Sequence, residues 1–348
     1  MPITEEAVLK ALSRVIDPDL QRDIVSLGMV KNLKIQGDEV SFDYELTTPA
    51  CPLKDKMRSM AEEALKGAGM PHFKIQMTAR VRQGKEIPDK APIPGVANII
   101  AVGAGKGGVG KSTVTSNLAV ALSMLGARVG LMDADVYGPN MPVMMGVNDQ
   151  PTQMDKKLVP LMAHGVKVMS MGFLLDPDQP VIWRGPMLHG VMKNFVSDVL
   201  WGELDYLVVD LPPGTGDVAL SLAQMVPVSG AVVVTTPQEV SLADTAKAVA
   251  MYKKLQIHVL GLVENMSYYV CPHCQARDEI FDHGGGRRLA TEMSIPFLGE
   301  IPMDIGVRLA GDAGTPVVKR APDSELSKSF LTLAQNLAQQ VSVAALAE

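Results

Sequence analysis

The apolar positions of the first 82 residues follow two rhythms. Val8, Leu9, Leu12, Val15 and Ile16 recur at the spacing of one helical face, and the step Asp17-Pro18 predicts the end of that helix, because a proline disfavours helical backbone in the residue before it. Val40, Phe42, Tyr44 and Leu46, and later Ile75, Met77, Ala79 and Val81, take every second place, the period of half-buried strands. Between these runs "CPLKDKMRSMAEEALKGAG" returns to the helical period through Leu53, Met57, Met60, Ala61, Ala64 and Leu65. Pro52 is predicted at its first position, and Gly67 and Gly69 end it. Residues 1–82 are expected to form a small α+β domain.

From residue 97 the pattern changes. "NIIAVGA", "RVGLMDAD", "DYLVVDLP", "GAVVVTTP" and "HVLGLVENM" are almost continuously apolar and are separated by helical patterns. Strands of that kind are buried on both faces, so 97–348 is predicted as an α/β domain with a mainly parallel sheet covered by helices on both faces. The proline- and glycine-rich stretch 83–96, "QGKEIPDKAPIPGV", has the composition of a linker. In such sheets ligands sit at the carboxyl ends of strands, where the unusual polar residues fall here.

Composition narrows the classes. The chain is 47% hydrophobic and 20% charged, as globular proteins are, and its net charge of -6 argues against sequence-independent binding to nucleic acid. No apolar run is long enough to cross a membrane, and "MPITEEAVLK" is not a secretory leader, so a cytoplasmic protein is expected. Cys51, Cys271 and Cys274 are too few for a disulfide scaffold; each is reactive, metal-binding or simply buried.

Gly105 to Ser112, "GKGGVGKS", follows an apolar strand and precedes a helical pattern, the context of a phosphate-binding loop. Its backbone N–H groups can face phosphate oxygens, Lys111 can reach the β and γ phosphates of ATP, and Ser112 can ligate Mg2+. Asp210 closes the strand "YLVV", where a carboxylate can hold magnesium through water; Asp133 and Asp135 follow "VGLM", where one can orient the attacking water. Caps and turns are the alternative roles for these acids. Lys106 is a second lysine that phosphate cradling does not require.

Cys271 and Cys274 form a C-x-x-C in "NMSYYVCPHCQ". Two thiolates are half of a four-ligand site, and two copies on a two-fold axis would supply four, suited to one [4Fe-4S] cluster or one zinc. An intrachain zinc site with His273 and His283, a redox dithiol and a plain turn remain as alternatives.

"KGGVGKS" with "DADVYGPN" and "DLPPGTGD" resembles the deviant Walker A ATPases, the class of MinD, ParA and the nitrogenase iron protein. In that class the lysine matching Lys106 reaches across a dimer to the partner's phosphates. The resemblance implies catalytic roles for Lys106 and Asp135, and magnesium at Ser112, Asp133 and Asp210. It further implies nucleotide contacts from Gly105, Lys106, Gly107, Gly108, Val109, Gly110, Lys111, Ser112 and Thr113, with adenine contacts from Asn265, Pro302 and Asp304.

With "WRGPM" and "ENMSYYVCPHC" added, the stretch from Ala97 to Val318 resembles the Mrp/ApbC-type iron-sulfur cluster carrier ATPases. "IDPDLQRDIVSLGMVKNLKI" and "LTTPACPLKDKMR" resemble the small iron-sulfur assembly domain fused to them. The implied function is a homodimer that holds a [4Fe-4S] cluster between Cys271 and Cys274 of both subunits. It would receive the cluster from an assembly scaffold and hand it to apo-proteins, with slow ATP hydrolysis as the switch. The second reading is a MinD/ParA-like positioning ATPase with a zinc-clamped dimer. Cys51, before Pro52, is expected near a helix N-terminus that lowers its thiol pKa and suits a transfer group; a packed apolar residue is the alternative. The C-terminal amphipathic run has almost no basic residues, so a MinD-like membrane tail is not expected.

Overall fold

The computed structural model describes residues 3–346 apart from 86, 89, 137, 175–184 and 215. The small domain contains helices α1 (Glu5–Leu12) and α2 (Lys54–Gly67) and strands β1 (Val30–Gln36), β2 (Glu39–Leu46) and β3 (His72–Ala79). β2 lies between antiparallel β1 and parallel β3, with α2 as the crossover. The alternation in β2 turns Val40, Phe42, Tyr44 and Leu46 inward, where they share a core with Met57, Ala61 and Leu65 of α2.

The first helix is shorter than its periodicity predicts. It ends at Leu12, and Ile16–Asp17 instead pairs antiparallel with Arg22–Asp23. The Asp17 carboxylate accepts bonds from the N–H groups of Asp19 and Leu20, a local turn that competes with helix, and the β-branched Val15 and Ile16 favour extended backbone.

The large domain is built on a nine-stranded sheet. Its strands are β4 (Ile99–Ala104), β5 (Val129–Asp133), β6 (Leu161–Ala163), β7 (Val166–Ser170), β8 (Tyr206–Asp210), β9 (Gly230–Thr235), β10 (Val259–Val270), β11 (Arg277–Asp278) and β12 (Phe297–Met303). The order is β6-β7-β5-β8-β4-β9-β10-β11, with β12 also on β10; β6 and β11 are antiparallel to their neighbours and the other pairings are parallel. Every residue of β4, β5, β8 and β9 is buried, as strands covered on both faces must be. The cover is α3 (Lys111–Met124), α4 (Met141–Met145), α5 (Gly185–Ser197), α6 (Asp217–Met225), α7 (Glu239–Lys254), α8 (Gly285–Glu292), α9 (Ile305–Asp312), α10 (Val317–Arg320) and α11 (Glu325–Leu346).

The apolar face of α11, with Phe330, Leu333, Leu337 and Val341, is buried against the protein. No helix among the described residues is long and apolar enough to cross a membrane. The two domains touch. Thr48 and Tyr206 share a buried hydroxyl hydrogen bond of 3.0 Å, and Gln339 of α11 donates to Asp19 at 2.6 Å. Between the domains Ile93 is buried and Val96 bridges to Leu204.

Candidate functional site

Gly105–Gly110 links β4 to α3 at the carboxyl end of the sheet and borders a cavity of about 630 Å³. Gly110 caps α3 with φ 80°, and a side chain there would place its Cβ 2.2 Å from the Asn265 amide nitrogen, so only glycine fits. The first N–H groups of α3 have no partner within the helix and face the same end, the arrangement that attracts phosphate.

Beneath the loop lies a buried charge network. Lys111, 6% exposed, donates to Asp210 at 2.7 Å and stands 3.5 Å from Asp135. The other oxygen of Asp210 accepts from Thr115 at 2.7 Å, while Ser112 donates to the oxygen that Lys111 shares, at 2.6 Å. Asp133 is fully buried and accepts from Ser170 Oγ at 2.8 Å and from the N–H groups of Asp135 and Met141. Burial, and then the charge of Asp210, push the Asp133 carboxyl up to about 7.

Two carboxylates, Asp210 and Asp135, flank one buried lysine, so the floor favours a further cation. Ser112 and Asp210 offer adjacent hard oxygen donors, which fit Mg2+. Neither Asp133 nor Asp210 borders the cavity directly: Asp210 lies beneath Lys111 and Ser112, and the oxygens of Asp133 shape the turn that carries Asp135 and the start of α4.

Lys106 and Asp135 border the cavity, Lys106 half-exposed at its mouth. Gly107, Gly108, Val109, Thr113, Asn265, Pro302 and Asp304 also line it, while Gly105 packs on the α7 backbone, where a Cβ would lie 2.3 Å from the Asp244 carbonyl carbon. Asn265 Nδ2 donates to Val109 O at 2.8 Å, and Asp304 caps α9 through the Gly306 N–H. Sequence reading missed Thr115 and Ser170. Thr115 stands one helical turn after Lys111, a spacing that could have marked it, whereas Ser170 lies on another strand and leaves no local signal.

Cys271 and Cys274 follow β10 in an exposed turn closed by bonds from Gln275 N to Cys271 O and from Cys271 N to Ala276 O. The N–H groups of Cys274 and then His273, with the Cys274 thiol, hold the Cys271 thiol below its ordinary pKa. Among the described residues no third His, Cys, Asp or Glu ligand joins the two thiols. His283 faces Glu300 at 3.1 Å and Glu279 at 3.8 Å instead. Glu264, His283 and Glu300 bring ligand atoms within 4.8 Å of one another, yet Glu264 is already occupied by Ser267 Oγ and the N–H groups of Gly284 and Gly286, which makes it an anchor.

Cys51 departs from expectation. Helix α2 begins at Lys54 with Leu53 as its cap, so Pro52 is not its first residue and Cys51 lies two residues before the cap. The Leu53 N–H does reach the thiol, but burial outweighs it and raises the Cys51 pKa. The thiol packs against the small domain's own core, and Cys51 lines a small crevice together with Gln339, Ser342 and Val343 of α11. "WRGPM" has its first two residues outside the described residues, as are the side chains of its other three.

The profile of the family described as "NUBPL iron-transfer P-loop NTPase" matches residues 95–338, and that of "Iron-sulfur cluster assembly protein" matches residues 5–75. A curated relative from Synechocystis, named "Iron-sulfur cluster carrier protein", is 48% identical over 99% of both chains. Among solved structures, the nucleotide-binding protein of Archaeoglobus fulgidus, solved with ADP, is 39% identical with a TM-score of 0.60, covering 68% of this chain and 93% of that one. The cell division ATPase MinD of Pyrococcus furiosus is 27% identical with a TM-score of 0.53, covering 69% of this chain and 97% of its own.

Proposed function

This chain belongs to the family of NUBPL iron-transfer P-loop NTPases, and from that premise we propose that it is an iron-sulfur cluster carrier. In this reading it binds one [4Fe-4S] cluster between the Cys271 and Cys274 thiols of two subunits and passes it to apo-proteins. The observation that carries this reading is the exposed thiol pair, which has two ligands for a cargo that takes four and lies at the end of the strand that presents Asn265 to the nucleotide cavity.

ATP binds in the loop cavity, its phosphates against the N–H groups of 107–112 and Lys111, its base against Asn265 and Pro302. Ser112 and Asp210 would hold Mg2+, which would supply charge to neutralise the phosphates. Asp135 orients water toward the terminal phosphate. Lys106, standing at the cavity mouth, reaches the phosphates of the partner subunit, so hydrolysis waits on dimer closure. The protein acts in the cytoplasm, taking clusters from an assembly scaffold. Cys51, with its thiol covered and its pKa raised, serves as a transfer group only after the small domain moves off α11.

The test is anaerobic reconstitution with iron and sulfide. About four irons and four sulfides per dimer, lost in Cys271→Ala/Cys274→Ala, are expected. Zinc retained against iron and sulfide would instead support the zinc-clamped positioning ATPase.

A further inference from the structure

Strand β10 joins the two sites directly, and its backbone is not regular where it does so. Met266, the residue after Asn265, has φ 55°, a left-handed conformation that side chains other than glycine rarely adopt, and its pairing with β12 shifts register between Asn265 and Tyr269. Five residues later the chain reaches Cys271.

Both ends of this joint are tied down. Upstream, the Asn265 amide donates to Val109 O and is wedged against Gly110, so the phosphate loop and the side chain cannot move independently. Downstream, Ser267 Oγ donates to Glu264 at 2.5 Å, and the same buried carboxylate receives the N–H groups of Gly284 and Gly286, where the cysteine-bearing loop enters α8. Glu300, the register partner of Glu264 on β12, accepts from His283 at 3.1 Å. Arg277 lies 3.9 Å over the Tyr268 ring, and Tyr268 meets His283 edge-on. The loop carrying Cys271 and Cys274 therefore hangs from three residues, Glu264, Tyr268 and Glu300, each within three positions of a residue that lines the nucleotide cavity.

We propose that Met266 is a conformational joint that couples the nucleotide cavity to the cysteine loop, with Glu264 and His283 as positioning residues that set how the two thiols are presented. Coupling requires an element with two arrangements that each site biases differently. A left-handed residue inside a strand supplies one, its alternative being the extended backbone of its neighbours. A base that engages the Asn265 amide pulls on the residue next to the joint, and a shift there moves Ser267 against Glu264. The proposal rests on reading the cavity as a nucleotide site; it does not require the cargo to be a cluster.

The experiment follows alkylation of Cys271 and Cys274 by iodoacetamide, resolved by peptide mass spectrometry, in the full chain with metals chelated, before and after saturation with ADP. ADP avoids turnover, and calorimetry measures its binding separately. In the wild type ADP is expected to change the alkylation rate by about five-fold or more, the lower end of ordinary coupling between sites. In Met266→Gly, where the left-handed backbone is freely exchanged, and in His283→Ala/Glu300→Gln, whose contacts lie outside the cavity, the ratio should fall to near one. ADP binding by the wild type with unchanged thiol rates would sink the coupling alone, as would a ratio that survives in both variants. A wild type that binds no ADP would remove the nucleotide reading and the coupling with it. Neither result bears on the iron and sulfide content, which tests the carrier reading independently.

Discussion

The phosphate loop, which meets β10 midway along its length at Asn265, and the cysteine loop, which follows the end of that strand, solve opposite problems. In the first, Lys111, Ser112 and Thr115 bond to Asp210, and Ser170 bonds to Asp133, in a buried, acid-rich floor, so the geometry is fixed before any ligand arrives. In the second, the thiols project from an exposed turn held by backbone N–H groups, by the pairing of β10 with β11 and by a set of anchors behind them. The first can be completed by a cation and a nucleotide within one chain. The second offers two thiols among the described residues, and in the proposed carrier what completes the shell comes from a second subunit.

The sharpest way to break this comparison is to remove the cation at its centre. Lys111→Ala leaves Asp210 and Asp135 without their common partner and deprives the terminal phosphates of a charge that strengthens in the transition state. ATP turnover measured by phosphate release should fall by about 100-fold to 1,000-fold. Iron and sulfide content at Cys271 and Cys274 should stay at the wild-type level, because no bond of Lys111 reaches that loop. Loss of both together would mean that the two regions are one site.

What could be read from the sequence divides along the same line. The phosphate loop is eight consecutive residues between an apolar strand and a helix, and the acids Asp133 and Asp210 end strands that are buried throughout, so short-range pattern sufficed to find them. The buried runs of β8 and β9 likewise read directly as parallel strands. Interactions between distant residues were not legible. The crevice beside Cys51 is completed by α11, nearly 290 positions away, and a thiol expected to be acidified by a helix end is instead packed against the small domain's core. The anchoring of the cysteine loop by Glu264 spans 20 residues with no repeating pattern. The end of α1 failed for a local reason, since the side chain of Asp17 offered the backbone an alternative that apolar spacing does not register.

The contrast between exposed and covered sulfur extends the comparison to the third cysteine. Thiolate is the reactive form, so backbone donation to Cys271 and burial of Cys51 push reactivity in opposite directions. At pH 7.5 Cys271 should be alkylated at least about ten-fold faster than Cys51, read from the corresponding peptides. Raising the pH should narrow the ratio, because the thiol with the lowered pKa reaches its full thiolate fraction first while Cys51 continues to gain it. Equal rates at pH 7.5 would show that Cys51 is not covered in solution.

The smallest effect belongs to the acid floor itself and tests whether it is as closed as its bonds suggest. Asp133 titrates near 7 in the folded chain against 3.8 for the free side chain, because burial and the Asp210 charge oppose its ionisation. Between those values the folded state holds a proton that the unfolded state has released, so this group makes stability fall as pH rises, with a limiting slope of about 1.4 kcal/mol per pH unit. Below pH 4 both states are protonated and the contribution is constant and full; above 7 both are ionised and it has been lost. Asp133→Asn cannot ionise, so its denaturant midpoint should decline less steeply from pH 5 to 7 than that of the wild type. The difference in slope is the readout, because the N–H groups of Asp135 and Met141 bond to different oxygens of Asp133, so the new amide NH2 must face one of them and lower stability at every pH. Parallel slopes would mean that water or a counter-ion reaches Asp133, and the loop floor would then be as open to solvent as the cysteine turn.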